Sequence, residues 1–279
     1  MTIENPMPAA TSYRVGAAIT FGWKRSWKNF WWLLLVAIIM SAITGVLNTL
    51  FTWQGTPQYD FSNPSSMDMG QMITGGDGYA GIEALLAFIG GIVQFLVTTF
   101  LTLGVVRIAL AVTTGDRVHV GKLFSFKGYG RYLGSSILVF ILIAVVAAIP
   151  VITGVAIAIA ANQIIWAIVG LLVAILLAFV VSLFFCLFGY AILGEDAKGV
   201  SALGRSWALV KPHFWAILGL QVLLALIVIG IFVVAIVGGL LALCIGLLAT
   251  IPMAITLTLG IPALAYAYTY RVLSGQSVS

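Results

Sequence analysis

Long apolar runs alternate with short polar punctuation along this chain. A bilayer core of about 30 Å is crossed by roughly 20 apolar residues of helix, and six stretches reach that length. Residues 30–50 predict a first span and residues 85–106 a second. From Leu133 to Leu193 there is no charged residue, and the stretch is too long for one helix. Its one polar dipeptide near the middle, Asn162-Gln163, predicts a tight turn between a third span at 137–157 and a fourth at 164–188. The stretch from Phe214 to Tyr270 is also uncharged. There Gly238-Gly239 is the predicted breaker, since glycine takes turn conformations readily, giving a fifth span at 214–237 and a sixth at 243–268. Pro252 and Pro262 fall inside the sixth and predict a kink. The expected fold is an all-α, polytopic six-helix transmembrane bundle forming a single integral membrane domain over residues 1–279.

Two polar-flanked segments carry a different period. Val15, Ile19, Trp23 and Trp27 step by four within residues 1–29. Val200, Leu203, Trp207 and Val210 step by three or four ahead of the fifth span. Each set falls on one helical face, with Arg14, Lys24, Arg25, Lys28, Lys198 and Arg205 elsewhere. The two segments are alike in detail. Arg25-Ser26-Trp27 is followed by Phe30-Trp31 and the first span; Arg205-Ser206-Trp207 is followed by Phe214-Trp215 and the fifth. Val120 to Lys127 holds the equivalent place before the third span. The chain therefore reads as three hairpins, each preceded by an amphipathic segment.

Composition changes the picture in one respect. With 62% hydrophobic and 8% charged residues, the chain cannot cover a water-soluble surface, where about a quarter of residues are charged. Soluble enzymes and disordered proteins are excluded. The net charge of +5 is explained by topology, so it gives no reason to expect nucleic acid as a partner. All 13 Lys and Arg residues fall on one side of the six spans, whereas Asp60, Asp68, Asp77 and Glu83 fall on the other. Short cytoplasmic loops concentrate Lys and Arg, so both termini are expected in the cytoplasm, with the plasma membrane, and a prokaryotic cytoplasmic membrane in particular, as the location. Tryptophan prefers headgroup depth, and all eight lie near predicted span ends. The N-terminal residues carry Glu4 and no base before Arg14, unlike a signal peptide. The first apolar run predicts a retained anchor.

Chemistry is sparse. Cys186 and Cys244 sit near opposite ends of different spans and predict no disulfide. The outer loop, residues 52–80, offers Met67, Asp68, Met69 and Met72 without His or Cys, a poor metal set. No ionisable residue lies at hydrocarbon depth; Glu83 and Arg107 sit at the ends of the second span, where they can snorkel. Gly204-Arg205-Ser206 lacks the second glycine and the strand of a nucleophile elbow. His119 and His213 are solitary. No catalytic residue, cofactor site or metal site is assigned. Gln94 and Gln221 are the amides placed to line a path if the protein is a transporter. Small residues repeat every four positions at Gly170, Ala174, Ala178, Ser182 and Cys186, and again at Ala37, Ser41 and Gly45, a spacing that lets helices approach closely.

The segments Trp23 to Trp31, Gly115 to Phe124 and Ala202 to Lys211 resemble a broad set of uncharacterised prokaryotic six-span proteins. That set includes the membrane domains attached to some glycerophosphodiester phosphodiesterases. The resemblance implies the fold and a plasma-membrane location; the catalytic barrel of those enzymes is a separate domain, absent from this chain.

Three function classes follow: a non-enzymatic protein that organises lipid or a protein partner, a small-molecule transporter or channel, and, least favoured, an intramembrane enzyme. The first is preferred because the distinctive residues gather at the inner interface. Arg14, Trp23, Lys24, Arg25, Trp27, Lys28, Arg205, Trp207 and Lys211 are the candidate interface, with anionic lipids of the cytoplasmic leaflet as partners and a protein partner or homo-oligomer as a further one. The topology is directly testable. A cysteine placed at Asp68 should react with an impermeant reagent on intact cells, and one placed at Lys127 should not; the reverse pattern would invert the orientation.

Overall fold

A computed structural model describes residues 13–52, 80–116, 120–197, 199–241 and 245–278. Nine α-helices run through the described residues: α1 Val15–Lys28, α2 Phe30–Thr52, α3 Ala80–Thr113, α4 Tyr129–Ala161, α5 Ile165–Phe185, α6 Phe188–Gly194, α7 Val200–Val210, α8 Phe214–Leu241 and α9 Ile245–Leu273. There is no strand among them. Six spans are long and apolar enough to cross a membrane: α2, α3, α4, α5 with α6, α8, and α9. The protein is an all-α six-helix membrane bundle. The outer-loop methionines and Asp60, Asp68 and Asp77, together with Glu4, Arg117, His119, Lys198 and Cys244, lie outside the described residues.

Several predicted boundaries hold. Asn29 alone separates α1 from α2, and its side-chain Nδ2 donates to Arg25 O at 3.0 Å. Asn162 takes the left-handed conformation at φ 49°, ψ 40° and ends α4. Asparagine tolerates that region because its short polar side chain bonds locally.

Others are corrected. Gly238 and Gly239 lie inside α8, which continues to Leu241. In a long apolar helix the lost backbone hydrogen bonds of a turn cost more than two glycines save. The second span reaches Thr113 rather than 106. Arg107 therefore sits within the helix, and it does not snorkel: its guanidinium donates to the carbonyls of Ser125 and Lys127, folding the following loop against α3. The fourth span breaks at Cys186–Leu187 before α6 begins. Of the predicted stripe on α2, Ala37 is buried, whereas Ser41 and Gly45 are exposed and a Cβ at Gly45 would meet nothing among the described residues.

The spans meet mainly at the basic end. Buried apolar residues concentrate in Leu101 to Val112 of α3 and Leu257 to Tyr270 of α9, joined by Leu33 and Val36 of α2 and Leu183 and Leu187 of the fourth span. α9 packs against α8, α1, α3 and α2. At the far end, close contacts stay within single hairpins. Gly90 lies against Phe51, Gly154 against Gly170, and Thr250 Oγ1 donates to Ala235 O at 2.9 Å. The predicted stripe on α5 is buried at Gly170 and Ala174 and half-buried at Ala178 and Ser182. A Cβ on Gly170 would lie 2.5 Å from Pro150 O and 2.9 Å from Gly154 Cα. Only glycine permits that approach.

The amphipathic segments pack in a repeating way. Each lies against the second span of a hairpin: α7 against the basic end of the fourth span, the loop around Leu123 against α3, and α1 against α9. The last contact joins the beginning of the chain to its end and closes the set. Its buried face is Ala18, Gly22 and Ser26, one position before the tryptophans. A Cβ on Gly22 would lie 2.7 Å from Ile261 O. On α7 the buried face is Ala202, Ser206, Leu209 and Val210, whereas Val200 and Trp207, predicted on the apolar face, are exposed. On α1 the fully buried positions are the small residues and the tryptophans face outward, whereas on α7 the small Ala202 and Ser206 are buried together with Leu209 and Val210.

The paired serines differ in use. Ser206 Oγ donates to Phe184 O at 2.8 Å and accepts from Leu187 N–H at 3.3 Å. It satisfies both backbone groups released where the fourth span breaks. Ser26 Oγ, equally buried beside Gly260, has no hydrogen-bond partner.

Two stability predictions follow from this packing. Gly170→Ala should destabilise the protein by about 1–3 kcal/mol through overpacking, whereas Gly134→Ala, with open space at its Cβ, should be neutral or slightly stabilising; thermal melts in detergent compare them. Ser206→Ala should cost about 1–3 kcal/mol by orphaning a buried donor and acceptor, whereas Ser26→Ala removes an unpaired hydroxyl and should leave the melting temperature unchanged or raised. Equal losses for the two serines would refute their separate roles.

Candidate functional site

The basic end assembles most of the residues singled out from sequence. Arg14 caps α1 and is exposed, as are Lys24 and Lys28. Trp23 and Trp27 stand on an outward face with ring centroids 6.2 Å apart, and Trp27 stacks on Phe30 at 5.6 Å. The Arg25 guanidinium lies over the Phe21 ring at 5.5 Å. Trp207 stacks on Phe184 at 4.1 Å, has Phe185 beside it at 6.4 Å and is still exposed. Trp31 and Trp215, at the starts of α2 and α8, are 78% and 80% exposed.

The two amphipathic segments meet through Tyr13. Its hydroxyl is 3.0 Å from Thr269 Oγ1, and its ring meets the edge of His213, centroids 6.5 Å apart. Burial pushes the Tyr13 phenol above its ordinary pKa, and the Thr269 hydrogen bond partly opposes that. Arg14 and Lys211, each near this contact in sequence, are thereby brought to one side of the bundle.

Charge pairing divides the bases. Arg205 pairs with Glu195 through two hydrogen bonds of 2.9 and 3.1 Å, and its side chain stays exposed. Arg131 pairs with Asp196 at 3.2 Å and Lys122 with Asp116 at 3.4 Å. Arg14, Lys24, Lys28, Lys127 and Lys211 form no ion pair among the described residues. Exposed pairs of this kind contribute about 0–1 kcal/mol to stability; their larger effect is on which charges remain uncompensated.

The amides suggested for a transport path lie on two different spans. Gln94 is half-buried on α3, next to Phe95, whose ring lies 6.1 Å from Phe140. Gln221 is on α8 with its Oε1 buried and unpartnered. Neither lines either of two cavities found between the helices. One of these is small and apolar, between α2, α3 and α9. The other is a half-open space of about 250 Å³ at the basic end, lined by Arg107, Lys127, Gly128 and Asp196 over Leu110, Ile192 and Leu193. Sequence reasoning missed this second cavity. Its bases entered only as topology signals, and the left-handed Gly128, φ 79°, was the one local hint of a turn there.

No curated protein and no solved structure matches the chain. A family model does match, over residues 83–269, which takes in five of the six spans. The chain belongs to the family described as Domain of unknown function (DUF7847).

Proposed function

We propose that this protein is a non-enzymatic multi-pass protein that organises anionic lipid at the cytoplasmic face of a prokaryotic plasma membrane. The single observation that carries the reading is the coincidence, at one end of the bundle, of uncompensated bases with outward-facing tryptophans. Arg14, Lys24 and Lys28 share α1 with Trp23 and Trp27, and Lys211 precedes Trp215. An aromatic face at headgroup depth anchors a helix, and bases beside it attract anionic lipid. The burial of Ala18, Gly22 and Ser26 supports the same reading, because it leaves the tryptophan face of α1 free for lipid. A transporter concentrates polar or broken-helix features near mid-membrane, whereas the break in the fourth span lies at the basic end. A protein partner at the same rim is the companion reading.

Each base near an anionic surface contributes about 1 kcal/mol. The triple variant Arg14→Gln, Lys24→Gln, Lys28→Gln should therefore lose enrichment of phosphatidylglycerol over phosphatidylcholine, by up to about fivefold per residue, when co-purified lipid is measured from mixed bilayers. Its melting temperature should stay near that of the parent. Unchanged lipid selectivity would reject the reading. Solute flux in liposomes that Gln94→Ala or Gln221→Ala abolishes without unfolding would replace it with transport.

A further inference from the structure

The half-open cavity at the basic end lies away from the α1 rim and is built from other elements. We infer that it is a discrete site for the phosphodiester headgroup of one anionic phospholipid. This rests on the lipid-organising reading and adds to it a specific, saturable position.

The walls are the inner part of α3, the turn before α4 and the end of α6. At about 250 Å³ the space far exceeds the ~10–15 Å³ that admits one water. Arg107 is fixed in place because two of its five donors are committed to the carbonyls of Ser125 and Lys127. A guanidinium held this way is preorganised, so little side-chain entropy is lost when its remaining donors meet an oxyanion. Lys127, exposed and without an ion pair among the described residues, supplies a second cation at the mouth. Asp196 is the one acid in the lining, and Arg131 pairs with it at 3.2 Å. Two bases thus share the lining with one carboxylate, and that carboxylate is paired with Arg131 from outside it, which suits a phosphate.

The surroundings decide between a lipid and a soluble phosphate. Phe126, beside Lys127, is 75% exposed, and its ring packs on Phe100 of α3 at 4.7 Å. Phe124 is also exposed. Exposed ring surface on the segment that carries Lys127 suits the acyl chains of an amphiphile, and beside the apolar lining of Leu110, Ile192 and Leu193 the residues Arg107, Lys127 and Asp196 are the polar part. A small water-soluble phosphate would gain nothing from that apolar rim.

The full chain, purified in detergent and delipidated, is titrated with short-chain phosphatidylglycerol and followed by native mass spectrometry. One saturable adduct is expected. Lys127→Gln leaves the backbone carbonyl that holds Arg107 in place and should lower occupancy of that adduct at least fivefold. Lys211→Gln, outside the cavity, should leave it intact. Equal occupancy in the parent and Lys127→Gln overturns the site. Displacement of the adduct by inorganic phosphate or glycerol phosphate at concentrations equal to the lipid overturns the lipid assignment in favour of a soluble ligand. The triple α1 variant separates the two readings: loss of bulk phosphatidylglycerol enrichment with the single adduct retained supports both, loss of the adduct in that variant overturns the cavity as a separate site, and unchanged enrichment overturns the rim.

Discussion

The structure depends on how closely other helices can approach the sixth span. α9 touches α1, α2, α3 and α8, and in lipid no hydrophobic force draws them together, because the tails are as apolar as the side chains. What remains is close packing and satisfied polar groups. The contact with α1 shows the requirement at its narrowest. Gly22 lies where any Cβ would meet Ile261 O at 2.7 Å, and Gly260 lies where a Cβ would meet Ser26 Oγ at 2.9 Å. Removal of side chains, not addition of apolar surface, is what joins the start of the chain to its end. Once α1 is seated, its tryptophans have one direction left to face.

Backbone accounting explains the other unusual feature. A span can be interrupted only where something replaces the lost hydrogen bonds. At Phe184 to Leu187 one hydroxyl from α7 serves both the carbonyl and the amide. The equivalent hydroxyl on α1 meets an unbroken α9 and stays unpaired. The repeated Arg-Ser-Trp unit thus keeps its geometry while its serine has two different consequences, one set by a broken helix and one by a continuous one.

Much of this was legible in the sequence. Absence of charge over long stretches located the spans, and Asn162 marked its turn because few residues accept a left-handed backbone. The amphipathic segments were also visible, but their buried side was not. Periodicity marks the large apolar residues, and in a membrane those seek lipid, so the protein-facing side fell one position earlier, on Ala18, Gly22 and Ser26. Gly238-Gly239 misled for a related reason: glycine in water signals a turn, whereas in a long apolar run it is tolerated inside a helix. The break at Cys186–Leu187 had no local signal at all, since the residue that permits it, Ser206, lies on another helix. The cavity at Arg107 was hidden in the same way, being made by residues far apart in the chain.

The concentration of buried residues at the basic end has a mechanical consequence. Local opening free energies follow the density of buried contacts. The far halves of the hairpins, where close contacts such as Gly154 on Gly170 join the two helices of one pair, can therefore part from one another more readily than the basic half. On that basis the bundle would act as a firm collar at its basic end carrying three more compliant prongs. Changes in bilayer thickness or lateral pressure would then be absorbed in the prongs, and the collar with its tryptophans and bases would keep a constant depth.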